Sequence, residues 1–156
     1  MKIGVLCYIC RGDEVLLLHR NKKEKDVHQG KWIGVGGKLE PGESPEQTVV
    51  REVKEETGLE VKSMRFAGMF TAPKTDNEHD DDWYGFVFRV DEFSGELIEE
   101  CPEGDLEWVH KDKFDDLPMW AGDRNMLTWI HNEGFFSYLV ACDTTNTLTL
   151  DRVSWY

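Results

Sequence analysis

Basic residues are in short supply here: 18 Lys and Arg stand against 31 Asp and Glu in 156 residues, a formal charge of −13. DNA, RNA and anionic membranes each require a basic footprint. The charge therefore argues against polymeric nucleic acid and against a membrane as partners. A polyphosphate would be repelled too, unless divalent cations stand between it and the protein. Long apolar runs are also missing. None approaches the roughly 20 residues of a membrane span, and residues 1–20 show no basic n-region, apolar h-region or cleavage site. The expectation is a soluble, cytoplasmic protein. Cysteines number only four. Cys7 and Cys10 are spaced C-x-x-C, but on a strand they point to opposite faces, and no second pair completes a zinc set. Cys101 and Cys142 add no disulfide framework. Repeats, low-complexity tracts and Pro/Ser-rich linkers are absent. The length is that of one domain spanning 1–156, since cores rarely divide below roughly 250 residues.

What is present suffices for a core: 40% hydrophobic residues, with six Trp and eight Phe. Ile3–Cys10 and Val15–His19 are apolar runs separated by Arg11-Gly12-Asp13-Glu14, the pattern of a hairpin. Asn21–Lys31 is polar and predicts a loop, and Trp32–Gly37 a short, Gly-rich strand. Ser44–Thr57 carries helix signals at both ends: Ser44 as N-cap, Pro45 at the first helical position and Gln47 completing a capping box. Gly58 supplies the left-handed stop. Strands follow at Val61–Phe70, Trp83–Val90 and around Leu106–His110. The acidic segment Asp76–Asp82 begins like an EF-hand, but Asp81 and Val87 stand where Gly and Glu are required, so it reads as a charged loop. Asp123 is positioned to cap a second helix running to about His131, with Gly134 ending it. Phe135–Leu139 and Thr147–Val153 look like a closing hairpin. Mixed strands with two main helices make an α/β (α+β) architecture.

The chemistry concentrates in GKLEPGESPEQTVVREVKEETGL, residues 37–59. Glu52 and Glu56 are four apart and share a helix face, with Glu55 beside them. Like charges at that spacing destabilise a helix, and the macrodipole disfavours anions in its C-terminal half. Hard divalent cations resolve the conflict, because Mg²⁺ takes carboxylate oxygens and completes its shell with water and phosphate. Arg51 is four residues before Glu55 and placed to pair with it. Gly34-Val35-Gly36-Gly37-Lys38 lets backbone approach the same site, so that a carbonyl can join the ligands.

Gly37, five residues, Glu43, seven residues and Arg51-Glu52-Val53-Lys54-Glu55-Glu56-Thr57-Gly58-Leu59 resemble the Nudix box without a departure. Chance matching of seven fixed and two apolar positions is on the order of one in ten million at average residue usage. The resemblance implies an α/β/α sandwich with a mixed sheet and a hydrolase that splits phosphate–phosphate bonds in a small nucleotide. It further implies Mg²⁺ (with Mn²⁺ able to substitute), held by Glu52, Glu55, Glu56 and the Gly36 carbonyl, and a metal-activated water as nucleophile. An acidic residue shortly before a Trp serves the family as a further ligand or base. Glu103 and Glu107, ahead of Trp108, are the two candidates, and the sequence does not choose between them.

Within the family, the chain resembles the MutT-like branch that hydrolyses oxidised purine nucleoside triphosphates such as 8-oxo-dGTP to monophosphate and pyrophosphate. Asp26-Val27-His28-Gln29-Gly30-Lys31-Trp32 resembles the segment before the box in that branch. Pro118-Met119-Trp120-Ala121-Gly122-Asp123 resembles its base-binding turn, where Trp stacks and Asp reads the base edge. The substrate contacts this implies are His28, Lys38, Trp120 and Asp123. Ile33 departs from the pattern, because the animal enzymes carry Asn at that place. An ADP-ribose or dinucleoside-polyphosphate hydrolase, towards which Pro73 points, shares the box. A non-catalytic Nudix-fold binding module is the alternative from another class, although such modules usually show a degraded box.

Overall fold

A computed structural model describes residues 1–24, 26–75 and 81–156. Most of the acidic segment, residues 76–80, lies outside the described residues. Among the described residues, nine strands form one sheet: β1 (Lys2–Arg11), β2 (Glu14–His19), β3 (Trp32–Ile33), β4 (Val35–Lys38), β5 (Glu60–Ala72), β6 (Trp83–Ser94), β7 (Asp105–His110), β8 (Phe136–Cys142) and β9 (Leu148–Trp155). The order is β3-β2-β1-β6-β5-β8-β9, with β4 also on β1 and β7 also on β2. β1 runs parallel to β6 and β5 parallel to β8, while the other pairs are antiparallel. The sheet is therefore mixed.

Strand alternation divides the core into two. Val5, Cys7 and Ile9 of β1 pack with Val49 and Val53 of helix α1 (Pro45–Thr57). Tyr8 and Cys10 point the other way, towards Met126, Leu127 and Ile130 at helix α2 (Ala121–Trp129). The result is the expected α/β/α sandwich, and Cys7 and Cys10 do face opposite sides. All four cysteines are buried and unbridged. Among the described residues, no helix is long and apolar enough to cross a membrane.

α1 is built as its sequence dictates. The Ser44 side chain accepts from the Gln47 N–H at 3.1 Å, the Gln47 side chain accepts from the Ser44 N–H at 2.9 Å, and Gly58 closes the helix at φ 80°. Val49 and Val53 are fully buried, and each such side chain contributes roughly 1.5–3 kcal/mol of transfer free energy. Glu52 and Glu56 come three residues after them, at the margin of the buried face.

Three of the boundaries that differ from the sequence expectation bear on the site. The strand expected at Trp32–Gly37 breaks at Gly34, where the chain leaves β2 for β1. A Cβ on Gly34 would meet the Cys7 carbonyl oxygen at 2.9 Å. α2 starts at Ala121, so Asp123 is its third residue and not its cap. Trp120 occupies the cap position without a side-chain bond to the helix's own N–H groups, and Asn146 from the β8–β9 turn accepts the Ala121 N–H instead. α2 also ends at Trp129, before His131. Arg65 of β5 and Arg89 of β6 donate to the Ile130 carbonyl, a favourable place for cations at a helix C-terminus. Both ends of α2 are thus finished by distant residues, which local capping signals do not report.

Candidate active site

The box motif holds its carboxylates in place with one arginine. Arg51 donates from Nε and Nη2 to the two oxygens of Glu43 at 2.7 and 2.8 Å, and from Nη1 to Glu52 at 2.7 Å. Its contact with Glu55, the partner expected from sequence, is longer at 3.4 Å and exposed. Glu43 is therefore the main anchor, because the turn at Gly42 brings it back over the helix. The Arg51 hydrogen bonds, aided by the Glu40 N–H, push the Glu43 carboxyl down to about 2. Arg51 Nη2 also donates to the Lys38 carbonyl at 3.1 Å, tying helix to strand. Gly37 is required by this packing, since a Cβ there would lie 2.3 Å from a Glu52 carboxylate oxygen.

Glu56 faces inward. One of its oxygens accepts from the Gly36 N–H at 3.2 Å, so Gly36 meets the carboxylate cluster through its amide. Burial, reinforced by Glu52 and then Glu103, pushes the Glu56 carboxyl up to about 8. Burial also raises Glu52, against the opposing pull of Arg51. Glu103 lies within hydrogen-bonding reach of Glu56. Its own place is set by Arg20, which donates to it at 3.1 Å and to Asp26 at 2.6 Å, and by Lys23 at 3.3 Å.

The two candidates near Trp108 are thereby separated. Glu103 sits in the turn before β7 and reaches the carboxylate cluster. Glu107 lies opposite Leu17 in the β2–β7 ladder and is exposed. Leu106 and Trp108 on either side of it pack against the α1-side core, and strand alternation turns Glu107 away.

A cleft of about 740 Å³ joins this cluster to a second group of side chains. Glu52, Glu56 and Glu103 line it together with His28, Lys38, Trp120 and Asp123, and Gly36 and Ile33 also contribute. Glu55, with its side chain 59% exposed, does not reach it. The Trp120 indole N–H donates to His28 Nδ1 at 2.8 Å, and Lys31 lies 4.1 Å from the centre of the Trp120 ring. At another part of the cleft, Lys2 and Lys38 both flank Trp83. Sequence reasoning missed Arg20, Asp26, Lys2 and Trp83 as members of this site. Nothing in their local spacing announces a role that depends on how distant strands meet.

Among the described residues, no three His, Cys, Asp or Glu side chains form a ready-made cation cage. The donors that converge are nevertheless hard oxygens, and a buried carboxyl that keeps its proton to about pH 8 is a group that a divalent cation can relieve by displacing that proton. The residues fit a divalent metal. Glu52, Glu56 and Glu103, which line one cleft, are side chains that could hold it.

Comparison with known proteins agrees with this geometry. The NUDIX domain model matches residues 1–130. The chain is 34% identical over 125 residues to the uncharacterized Nudix hydrolase YvcI of Bacillus subtilis, covering 80% of this chain and 75% of that one. It is 33% identical over 122 residues to the oxidized purine nucleoside triphosphate hydrolase of Danio rerio, covering 78% and 74%. The crystal structure of the MutT mutator protein from Bacillus halodurans superposes with a TM-score of 0.86 at 33% identity, covering 99% of this chain and 98% of that one. NAD-capped RNA hydrolases NudC also match, and the chain spans only about two-fifths of their length, 40% for that of Actinobacillus succinogenes. The chain belongs to the Nudix family. It is a Nudix hydrolase of nucleotide derivatives, a class that generally works with divalent metal ions.

Proposed function

We propose that the protein hydrolyses purine nucleoside triphosphates, oxidised ones such as 8-oxo-dGTP preferentially, to monophosphate and pyrophosphate with Mg²⁺. The observation that carries this is the single cleft shared by Glu52, Glu56 and Glu103 at one part and Trp120, Asp123 and His28 at another. A polyphosphate near the carboxylates leaves its base within the reach of Trp120. Stacking on an aromatic ring is worth ~1–3 kcal/mol per base, and the Asp123 carboxylate is an acceptor suited to the extra N–H of an 8-oxopurine. Lys38 and Lys2 supply positive charge for the phosphates. Ile33 lines the same cleft, so any polar contact made by Asn in related animal enzymes is replaced here by apolar surface.

When bound, Mg²⁺ or Mn²⁺ would neutralise the phosphates and acidify the attacking water. The remaining work falls to the protein. Water adds to phosphorus, the bridging oxygen leaves with pyrophosphate, and the water's proton passes to a carboxylate. Glu103 is the group we assign to receive it, because Arg20 and Lys23 hold it against the cluster. Removal of oxidised nucleotides in this way is sanitation of the cytoplasmic nucleotide pool.

The NudC relatives favour a second reading, cleavage of a dinucleotide diphosphate, which needs the same carboxylates. A formal charge of −13 disfavours an RNA-linked substrate. A panel of 8-oxo-dGTP, dGTP, ADP-ribose, NAD and dinucleoside polyphosphates, incubated with Mg²⁺ and resolved by chromatography, tests the proposal. Release of pyrophosphate and 8-oxo-dGMP at the highest kcat/KM is the expected result. Preference for a diphosphate-linked dinucleotide, or no turnover of any member, overturns it.

A further inference from the structure

Residues 131–156 lie beyond the span of the family match, yet they form one wall of the cleft through Val140, Ala141 and Cys142 of β8. The β8–β9 turn reaches further still. Asn146 accepts the Ala121 N–H through Oδ1 at 3.0 Å and donates through Nδ2 to the Met119 carbonyl at 2.7 Å. It thus bonds the peptide groups on both sides of Trp120. Asn146 is held at φ 61°, a left-handed conformation that Asn tolerates better than most residues. The turn around it is internally braced, since Asp143 Oδ1 accepts from the N–H groups of Thr145 at 2.8 Å and Thr147 at 3.0 Å. The hairpin also lies directly on α2, because a Cβ on Gly122 would meet Val140 Cγ2 at 2.6 Å.

We propose that the C-terminal hairpin is a specificity device for the nucleobase, with Asn146 as the positioning residue that sets the plane of Trp120. This rests on the assignment of Trp120 to the base made above. Trp120 stands at the N-cap of α2 with no side-chain cap of its own, so its backbone is fixed from outside the helix. Asn146 fixes the main chain, and His28 fixes the far edge of the indole. The stacking surface is therefore referenced to two segments remote in sequence, and loosening either one disorders the base without touching the phosphates.

The test compares two substrates on the full chain with Mg²⁺: 8-oxo-dGTP, and deoxyribose 5′-triphosphate, which carries the phosphates but no base. Asn146→Gly removes both hydrogen bonds while accepting the left-handed backbone. Its kcat/KM for the nucleotide should fall about tenfold, through KM, the scale of a weakened stacking contact. Its kcat/KM for the base-free triphosphate should stay within about twofold, which also reports that the variant is folded. Asn146→Asp keeps the acceptor for Ala121 and should recover part of the loss. Equal losses on both substrates, or an unchanged nucleotide KM, overturn the inference alone. A wild type indifferent to the base overturns both this inference and the purine assignment.

Discussion

The Trp120 indole N–H and His28 Nδ1 are joined by a 2.8 Å hydrogen bond across 92 residues of chain, with the rings edge to face at 83°. The bond requires Nδ1 to be unprotonated, which assigns the imidazole hydrogen to Nε2. Burial holds His28 below the ordinary histidine range, and the Arg20 charge adds to that. His28 therefore serves the base site by orienting Trp120, beyond any direct contact of its own.

His28→Leu removes the acceptor and leaves the indole N–H unpaired. KM for a purine nucleoside triphosphate should rise about five- to tenfold, the scale of one or two lost hydrogen bonds, with kcat nearly unchanged. Steady-state kinetics on 8-oxo-dGTP measures this. An unmoved KM would show that the indole keeps its place without the imidazole.

Asp123 is the third residue of α2 and not its cap, which changes what its substitution should do. Asp123→Asn removes a favourable anion from a helix N-terminus, costing roughly 0.3–1 kcal/mol at low salt. As a base reader, the lost carboxylate should also reduce the preference for 8-oxo-dGTP over dGTP by ~1–3 kcal/mol, on the scale of a base-edge contact. The ratio of the two kcat/KM values decides it, and selectivity equal to that of the wild type would remove Asp123 from base recognition.

Gln substitutions should separate the carboxylates by position. At Glu52, Glu56 and Glu103, which line the cleft, each should cost ~10²–10⁴-fold in kcat/KM. Glu107→Gln should leave turnover intact, and Glu55→Gln should cost less than either Glu52→Gln or Glu56→Gln. Excess chelator should abolish the wild-type activity, with Mg²⁺ or Mn²⁺ restoring it. Normal turnover by Glu103→Gln would move the proton acceptor elsewhere.

Glu56 predicts a pH signature in the metal-free protein. Its carboxyl is raised from 4.5 to about 8 by burial and by Glu52 and Glu103. Between those values the native state keeps a proton that the unfolded chain has released, so stability falls as pH rises through that window. Urea midpoints in chelator at pH 5, 7 and 9 should decline for the wild type and decline less for Glu56→Gln. The variant should be the more stable protein at pH 9. Parallel slopes for the two proteins would contradict the buried carboxyl.

α1, both of its caps and the row Glu52, Glu55, Glu56 were legible in the sequence, because capping, i to i+4 spacing and the Gly58 stop are decided within one turn of backbone. So were the β1–β2 and β8–β9 hairpins and the divergence of Cys7 from Cys10, which follow from strand alternation. The tertiary structure alone placed Glu103 in the cleft beside Glu52 and Glu56 and left Glu55 and Glu107 outside its lining, since which carboxylate reaches the cluster depends on where the turn before β7 meets α1. It also gave Arg51 its anchor in Glu43, set Trp120 between His28 and Asn146, and put Trp120 rather than Asp123 at the N-cap of α2, with Asn146 accepting the Ala121 N–H. Apart from the Arg51–Glu43 pair, these contacts join segments far apart in the chain, and their geometry is fixed by sheet register and helix docking, which no local pattern of residues encodes.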